Sequence, residues 1–264
     1  MQRRWIFSSD ADPVVVQAVQ RDLSIPAFLA RILVNRGFTD PVDADTYLNP
    51  KLRALSAPEL LPDMVLARDR VLAAIQRKER VVLYGDYDVD GVSSTAMLVH
   101  CLRRLGAEPA YFVPRRMEEG YGLSMAALDR VLAEARPQLF VALDCGTNSL
   151  AEVARLRAAG VEVIVVDHHV AKEGHALCTL VNPRVNDPAD APWQSLCTAG
   201  LVFKLIHGIL KVLRLAGDER GTCIAVKDYL DLAALGTIAD LVPLRAENRI
   251  LAAHGLKALG EARR

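Results

Sequence analysis

Three short runs in this chain of 264 residues put acid where a buried strand ends. Val-Val-Leu-Tyr84-Gly85 leads into Asp86-Tyr-Asp88-Val-Asp90-Gly91, Leu-Phe-Val-Ala-Leu into Asp144-Cys-Gly146, and Val-Ile-Val-Val into Asp167-His168-His169. A fourth acid, Asp240 in Gly236-Thr-Ile-Ala-Asp240-Leu, closes a long apolar helical stretch able to pack beside such a rim. Open α/β sheets gather their ligands outside the carboxyl ends of the strands. Like charges about 4 Å apart cost roughly 4 kcal/mol at an effective dielectric near 20, so acids crowded on one edge call for a cation. Carboxylates and imidazoles without thiolate suit Mn²⁺, Mg²⁺ or another octahedral ion rather than a closed structural zinc site. The surplus of ligands allows two ions bridged by a shared carboxylate. Such a pair, about 3.5–4 Å apart, clamps the attacking and leaving oxygens of an in-line phosphoryl displacement.

Each residue also has a plainer reading. A single Asp after a strand is usually a turn or helix cap, and a lone His168 is more often a surface or core side chain. It is the ordered combination of GDYDVDG, LDCG and VDHH, each at a strand end, that departs from a structural reading. Ser93, Ser94 and Thr95 follow Gly91 at an expected helix start, where backbone N–H groups either hold phosphate or simply cap. Arg115, Arg116 and the run Glu118-Glu-Gly120-Tyr121-Gly122 form a charged loop, either a solvated turn or a substrate contact. Asn182, with Pro183 and Arg184, follows the strand-like Leu180-Val181, where a turn is the default. Ser93, Arg116 and Asn182 are the candidate substrate contacts. His100, His175, His207 and His254 are isolated, and Cys145 has no local histidine to activate it as a nucleophile.

The elements that must position these acids read as alternating strands and helices. Short β-rich runs at residues 81–85, 108–113, 139–144 and 161–166 are separated by helical stretches at 93–105, 124–135 and 149–159, which predicts a parallel sheet with right-handed crossovers. The expected fold is α/β, a doubly wound, mainly parallel sheet with flanking helices. Residues 1–62, broken by Pro13, Pro26, Pro41, Pro50, Pro58 and Pro62, form an N-terminal arm of short helices; residues 63–264 form the main domain. An amphipathic helix at 64–77 feeds the first strand. Residues 171–193 read as a crossing loop, and 198–213, 227–235 and 248–259 as a helical C-terminal tail.

Composition narrows the class further. With 52% apolar residues, 16 Gly and 13 Pro, collagen-like, disordered and coiled-coil chains are excluded. No secretory leader and no stretch of about 18 uncharged apolar residues occurs, which predicts a soluble chain without a membrane partner. Five cysteines are an odd number without a CxxC pair, as expected of reduced thiols in the cytoplasm. The 32 basic and 32 acidic residues balance, whereas nucleic-acid binders usually carry a basic excess, so any phosphate site must be local.

With these motifs in hand, the sequence resembles the RecJ single-strand-specific exonucleases of the DHH phosphoesterase superfamily, named for the triplet seen here as Asp167-His168-His169. The likeness extends to Asn35-Arg36-Gly37, Tyr47-Leu48-Asn49-Pro50, Arg116-Met-Glu-Glu-Gly-Tyr-Gly122, Cys197-Thr-Ala-Gly200 with Phe203-Lys204, and Gly236-Thr-Ile-Ala-Asp240, in family order over nearly the whole chain. The resemblance implies Mn²⁺- or Mg²⁺-dependent 5′→3′ hydrolysis of single-stranded DNA to mononucleotides in repair and recombination. Asp86, Asp88, Asp90, Asp144, His168 and Asp240 match its metal ligands, and Asp167 and His169 match residues that support the scissile phosphate and orient the neighbouring imidazole. Tyr84 stands where many relatives have His, which weighs against a ligand there. Single-stranded DNA is the implied partner, with single-stranded-DNA-binding protein and recombination helicases beside it. Relatives continue into a DHH-associated domain and an oligonucleotide-binding fold, so the chain is expected to be the catalytic N-terminal part of a longer enzyme and to cut weakly by itself. Competing readings are a phosphoesterase of nanoRNA, cyclic dinucleotides or polyphosphate, and an inactive binding module of a repair or replication complex.

Overall fold

The computed structural model describes residues 11–120, 122–172, 174, 175, 177–186, 188 and 190–261, the side chains of Arg116 and Asn186 excepted. The chain divides between Ala54 and Leu55 into two compact units, whereas the sequence places the end of the arm at residue 62. The first unit holds α1 (Pro13–Leu23), α2 (Ala27–Asn35) and α3 (Pro41–Leu48). Asp12 and Asp40 cap α1 and α3 directly before a proline, accepting the amides of Val14 at 2.8 Å and Val42 at 2.7 Å. Proline suits that first position because its missing N–H would have no partner in the helix. Val19, Ala30, Leu33, Phe38 and Ala44 form this unit's own small core.

The second unit runs α4 (Met64–Gln76), β1 (Val81–Gly85), α5 (Val89–Arg104), β2 (Ala110–Phe112), α6 (Arg116–Glu119), α7 (Met125–Ala135), β3 (Leu139–Leu143), α8 (Leu150–Ala158), β4 (Glu162–Val166), β5 (Thr179–Val181), α9 (Pro183–Asn186), α10 (Thr198–Leu215), α11 (Glu219–Cys223), α12 (Leu230–Ala239) and α13 (Ala246–Gly260). Its five strands pair in the order β2-β1-β3-β4-β5, every pair parallel. Strands covered on both faces need apolar residues at every position, which is why VVLYG and LFVAL are buried throughout. Val82, Tyr84, Phe140, Ala142, Val163 and Val165 pack against Leu128, Val131, Val153 and Leu156 of α7 and α8. The alternating residues Leu83, Val141 and Ile164 point the other way and are equally buried. On that second face α5 packs on β1, α10 on β4 and α4 on β5.

α10 also carries a buried ion pair. Lys204 Nζ lies 2.6 Å from Glu247 Oε2 and donates to the Ser56 carbonyl at 2.7 Å, while the Ser56 amide donates to Glu247 Oε1 at 2.8 Å. Burial lowers the lysine's pKa, against the pull of Glu247.

The doubly wound parallel sheet is as the sequence predicts, with three differences of detail. β5 and α9 lie inside residues 171–193, read above as a loop; a three-residue strand next to prolines is too short to show a period. α5 starts at Val89 rather than 93, because Asp88 caps it. α12 continues through Gly236 to Ala239, preceded by a 3-10 turn at Val226–Tyr229 where the sequence suggests regular helix. No helix among the described residues is long and apolar enough to cross a membrane.

Candidate metal centre

Sheet register brings the acids together. Gly85 pairs with Leu143, Leu143 with Val166, and Val166 with Val181, so β1, β3 and β4 finish level. The residue after each end is aspartate, and its amide carries the ladder one step further: Asp86 to Leu143 O at 3.2 Å, Asp144 to Val166 O at 3.0 Å, Asp167 to Val181 O at 3.0 Å. Three carboxylates thereby stand on adjacent strands, a strand spacing of about 4.8 Å apart. The β1/β3 junction is also where the strand order reverses, the place at which such sheets open a ligand crevice.

Asp88 and Asp90 arrive with the turn into α5. Asp88 accepts the Gly91 amide at 2.9 Å as the helix cap, which places Asp90 in the first helical turn. Gly91 permits this turn, since a Cβ there would stand 2.5 Å from Asp86 O. Asp90 is fully buried at the N-terminus of α10, where Oδ2 accepts the Thr198 amide at 2.8 Å and Oδ1 the Ala199 amide at 2.7 Å. That end of the helix carries partial positive charge. The Thr198 hydroxyl donates to Asp144 Oδ1 at 2.9 Å, so one residue holds two of the acids. A Cβ on Gly236 would lie 2.7 Å from Asp90 Oδ1, and its absence lets α12 approach and deliver Asp240 as its C-cap.

His168 sits at the middle. Its Nε2 is 3.4 Å from Asp144 Oδ1, 3.7 Å from Asp240 Oδ2 and 3.8 Å from Asp90 Oδ2, all longer than ordinary hydrogen bonds. Both of its ring nitrogens and Asp144 Oδ2 are buried without a hydrogen-bond partner among the described residues. A buried orphan of this kind costs about 1–3 kcal/mol, and three in one place point to an absent partner. The donors fall into three sets whose atoms lie within 4.8 Å of one another: Asp86, Asp88 and Asp144; Asp90, His168 and Asp240; Asp144, His168 and His169. The first two sets can each hold an ion, and Asp144 and His168 link all three.

Ionisation follows the same division. Burial, then the charges of Asp90, Asp88 and Asp167, push Asp144 up to about 10, and burial raises Asp90 and Asp240 as well. Asp167 behaves in the opposite way: burial opposes its ionisation, yet hydrogen bonds from His169 and Thr147 outweigh it and hold the acid at about 2. Asp167 Oδ1 accepts the His168 and His169 amides at 2.8 and 3.2 Å and lies 2.7 Å from His169 Nδ1, while Oδ2 accepts the Thr147 amide at 3.0 Å. Asp167 thus orients His169, whose pKa the carboxylate raises. Burial and the neighbouring acids push the Cys145 thiol well above its usual value, which removes it as a nucleophile.

Asp144, Asp167 and His169 open onto a cleft of about 510 Å³, also lined by Gly122, Leu123, Asn148, Ser149 and Lys172. The other expected contacts fall differently. Ser93 is buried in the second turn of α5, not at the helix start. The Asn182 amide donates to Thr147 Oγ1 and to the His169 carbonyl, both at 2.9 Å, bracing the DHH loop from β5. The side chain of Arg116 and all of Tyr121 lie outside the described residues. Tyr84 donates to the Gly122 carbonyl at 3.0 Å. Sequence reasoning did not find Thr198, Thr147 or the glycine contact of α12; the motif Cys197-Thr-Ala-Gly200 was the available signal for the first.

Residues 80–237 match the sequence pattern of the DHH family, N-terminal domain. The chain is 36% identical over 263 residues to the single-stranded-DNA-specific exonuclease RecJ of Bacillus subtilis (strain 168), covering 99% of this chain and 31% of that protein. It therefore spans about a third of that relative's length. The crystal structure of RecJ in complex with Mn²⁺ from Thermus thermophilus matches 94% of this chain and 34% of its own at 31% identity, with a TM-score of 0.76. The crystal structure of exonuclease RecJ bound to manganese matches 78% of this chain and 49% of its own at 36% identity, with a TM-score of 0.67.

Proposed function

This chain belongs to the DHH family, and from that premise we propose that it is a metal-dependent hydrolase of single-stranded DNA that works from the 5′ end and releases mononucleotides in repair and recombination. The observation that carries the reading is the pair of donor sets, Asp86–Asp88–Asp144 and Asp90–His168–Asp240, linked through Asp144 and His168, which share a third set with His169 and carry buried atoms without partners among the described residues. Mn²⁺ or Mg²⁺, two ions, are the cofactors these oxygen and imidazole donors suit. When bound, such ions supply Lewis-acid activation of water and offset charge on the leaving oxygen. The rest is the work of the chain. Thr198 and the first amides of α10 fix the orientation of Asp90 and Asp144, so the ligands need not reorganise on loading. His169, held by Asp167 and lining the cleft, is placed to donate to a phosphate oxygen. Lys172 adds a positive charge to the same cleft, the local basic site that a chain of zero net charge needs. Manganese-bound RecJ structures among the relatives support the cofactor reading.

Finer expectations rest on the same footing. Arg116 contacts the strand end, single-stranded-DNA-binding protein and recombination helicases act as partners, and the enzyme works in the cytoplasm, where its five free thiols stay reduced. The deciding experiment follows 5′-labelled and 3′-labelled single strands and a blunt duplex with Mn²⁺, with Mg²⁺ and with chelator. Release of 5′-labelled mononucleotide from the single strand alone, abolished by chelator, is expected. Cleavage of cyclic dinucleotides or polyphosphate in preference, or no metal-dependent hydrolysis at all, overturns the assignment.

A further inference from the structure

We infer that Tyr84 is a positioning residue whose hydroxyl fixes one wall of the substrate cleft and takes no part in holding metal. This rests on the function proposed above. Tyr84 is fully buried on β1, two residues before Asp86, with its ring packed 5.8 Å from that of Phe140. A phenylalanine would fill the same space, and a buried hydroxyl is costly unless it finds a partner. It finds one in the loop between β2 and α7, donating to the Gly122 carbonyl at 3.0 Å.

Gly122 lies directly against the site. Its φ is +69°, a conformation side chains avoid, and a Cβ there would stand 3.9 Å from the Cβ of Cys145, the residue after Asp144. Gly122 and Leu123 line the same cleft as His169 and Lys172. The other end of the loop is tied independently. Glu119 Oε1 and Oε2 accept from Arg130 Nε at 2.6 Å and Nη2 at 2.9 Å, Arg130 donates also to Val113 O at 3.3 Å, and the Arg115 amide donates to Glu119 Oε2 at 2.8 Å. A bidentate arginine–carboxylate pair is among the stronger polar ties. Val113 and Glu119, on either side of Arg115 and Arg116, are thus tied through Arg130, and Gly122 is tied separately through Tyr84.

The test compares Tyr84→Phe and Glu119→Gln with the parent by amide hydrogen exchange, Mn²⁺ titration and single-strand digestion. In Y84F, exchange over residues 117–123 should quicken about fivefold, the equivalent of one ordinary net hydrogen bond, and E119Q should loosen the same loop from residue 115. Mn²⁺ affinity should stay within about twofold of the parent in both, because each side chain is hydrogen-bonded to the loop or to Arg130 rather than to a donor, while KM for single strands rises about fivefold at little change in kcat, again the worth of one hydrogen bond. Unchanged exchange in Y84F, or Mn²⁺ affinity falling with it, overturns the inference. If the parent chain cleaves and Y84F shares its KM, the inference is equally overturned. A parent chain that does not cleave counts against the proposed function, and the exchange data then decide the role of Tyr84 without it.

Discussion

Replacing Asp144 by Asn should uncouple the stability of the protein from divalent metal without harming the fold. Asparagine matches the shape, retains an acceptor for the Thr198 hydroxyl, and tolerates the left-handed backbone that Asp144 adopts at φ +64°. What it removes is the charge that completes the Asp86–Asp88–Asp144 set and, with His168, links it to the other donors. At a metal concentration a hundredfold above Kd, each occupied site adds about 2.7 kcal/mol, so two sites add roughly 5 kcal/mol. For a domain of this size 1 kcal/mol moves Tm by about 2–4 °C, which gives the parent a rise of roughly 10–20 °C on adding Mn²⁺. D144N should lose at least half of that rise, the share of the site that Asp144 completes. Without metal the sign reverses: burial and the neighbouring acids push Asp144 up to about 10, so near neutral pH the parent folds only by taking up a proton there, a cost asparagine does not carry, and the metal-free variant should melt at or above the parent. Thermal melts of both proteins in chelator and in saturating Mn²⁺ read the two effects together. An equal Mn²⁺-induced rise in D144N, or a metal-free variant that melts several degrees below the parent, refutes the shared-ligand reasoning.

Three further outcomes follow from the same geometry. Thr198→Val removes the hydroxyl on Asp144 but keeps the amide on Asp90, and Mn²⁺ affinity by titration should fall about 10–100-fold, as losses of supporting hydrogen bonds do elsewhere. Gly236→Ala drives a methyl to 2.5 Å from the Ala199 Cβ, and denaturant unfolding should show a loss of about 1–3 kcal/mol together with weaker metal binding. The hydrogen bond from Arg130 leads the causes that hold Glu119 below its ordinary carboxylate range, so the pair stabilises above the unfolded pKa and is lost as pH falls through the lower folded one. Denaturation midpoints of the parent should therefore drop on acidifying below about pH 4.3, the unfolded value, and E119Q should flatten that part of the profile.

The strand ends were legible because buried parallel strands announce themselves as unbroken apolar runs, and an acid at each terminus stands out against them. Asp240 was legible for a similar reason, at the end of an apolar helix. The start of α5 was not, because Asp88 serves two purposes: the same carboxylate that looks like a loop ligand caps the helix, which shifts the first turn back to Val89. Thr198 lies 54 residues from Asp144 and 108 from Asp90, and no local pattern encodes which helix N-terminus meets which acid. Tyr84 carried only the information that it was not histidine; the direction of its hydroxyl is a property of the packed sheet. The Lys204–Glu247 pair was equally hidden, since a lysine inside an apolar helix reads as an isolated surface charge until the helix is covered on all sides.

The backbone ladder that runs one residue past β1, β3 and β4 makes the distance between the acids a property of peptide geometry. Exchanging Val141 for Ile or Leu143 for Met alters packing yet leaves the aspartates at the same rung. Removing one residue from β3 does the reverse: every side chain beyond the cut swaps faces, and Asp144 is carried out of reach of its neighbours even if the core repacks well. Such a chain should still form its helices and strands while gaining nothing from manganese. Tolerance of substitutions along these strands, and intolerance of any change in their length, is the signature this arrangement should leave in a library of variants.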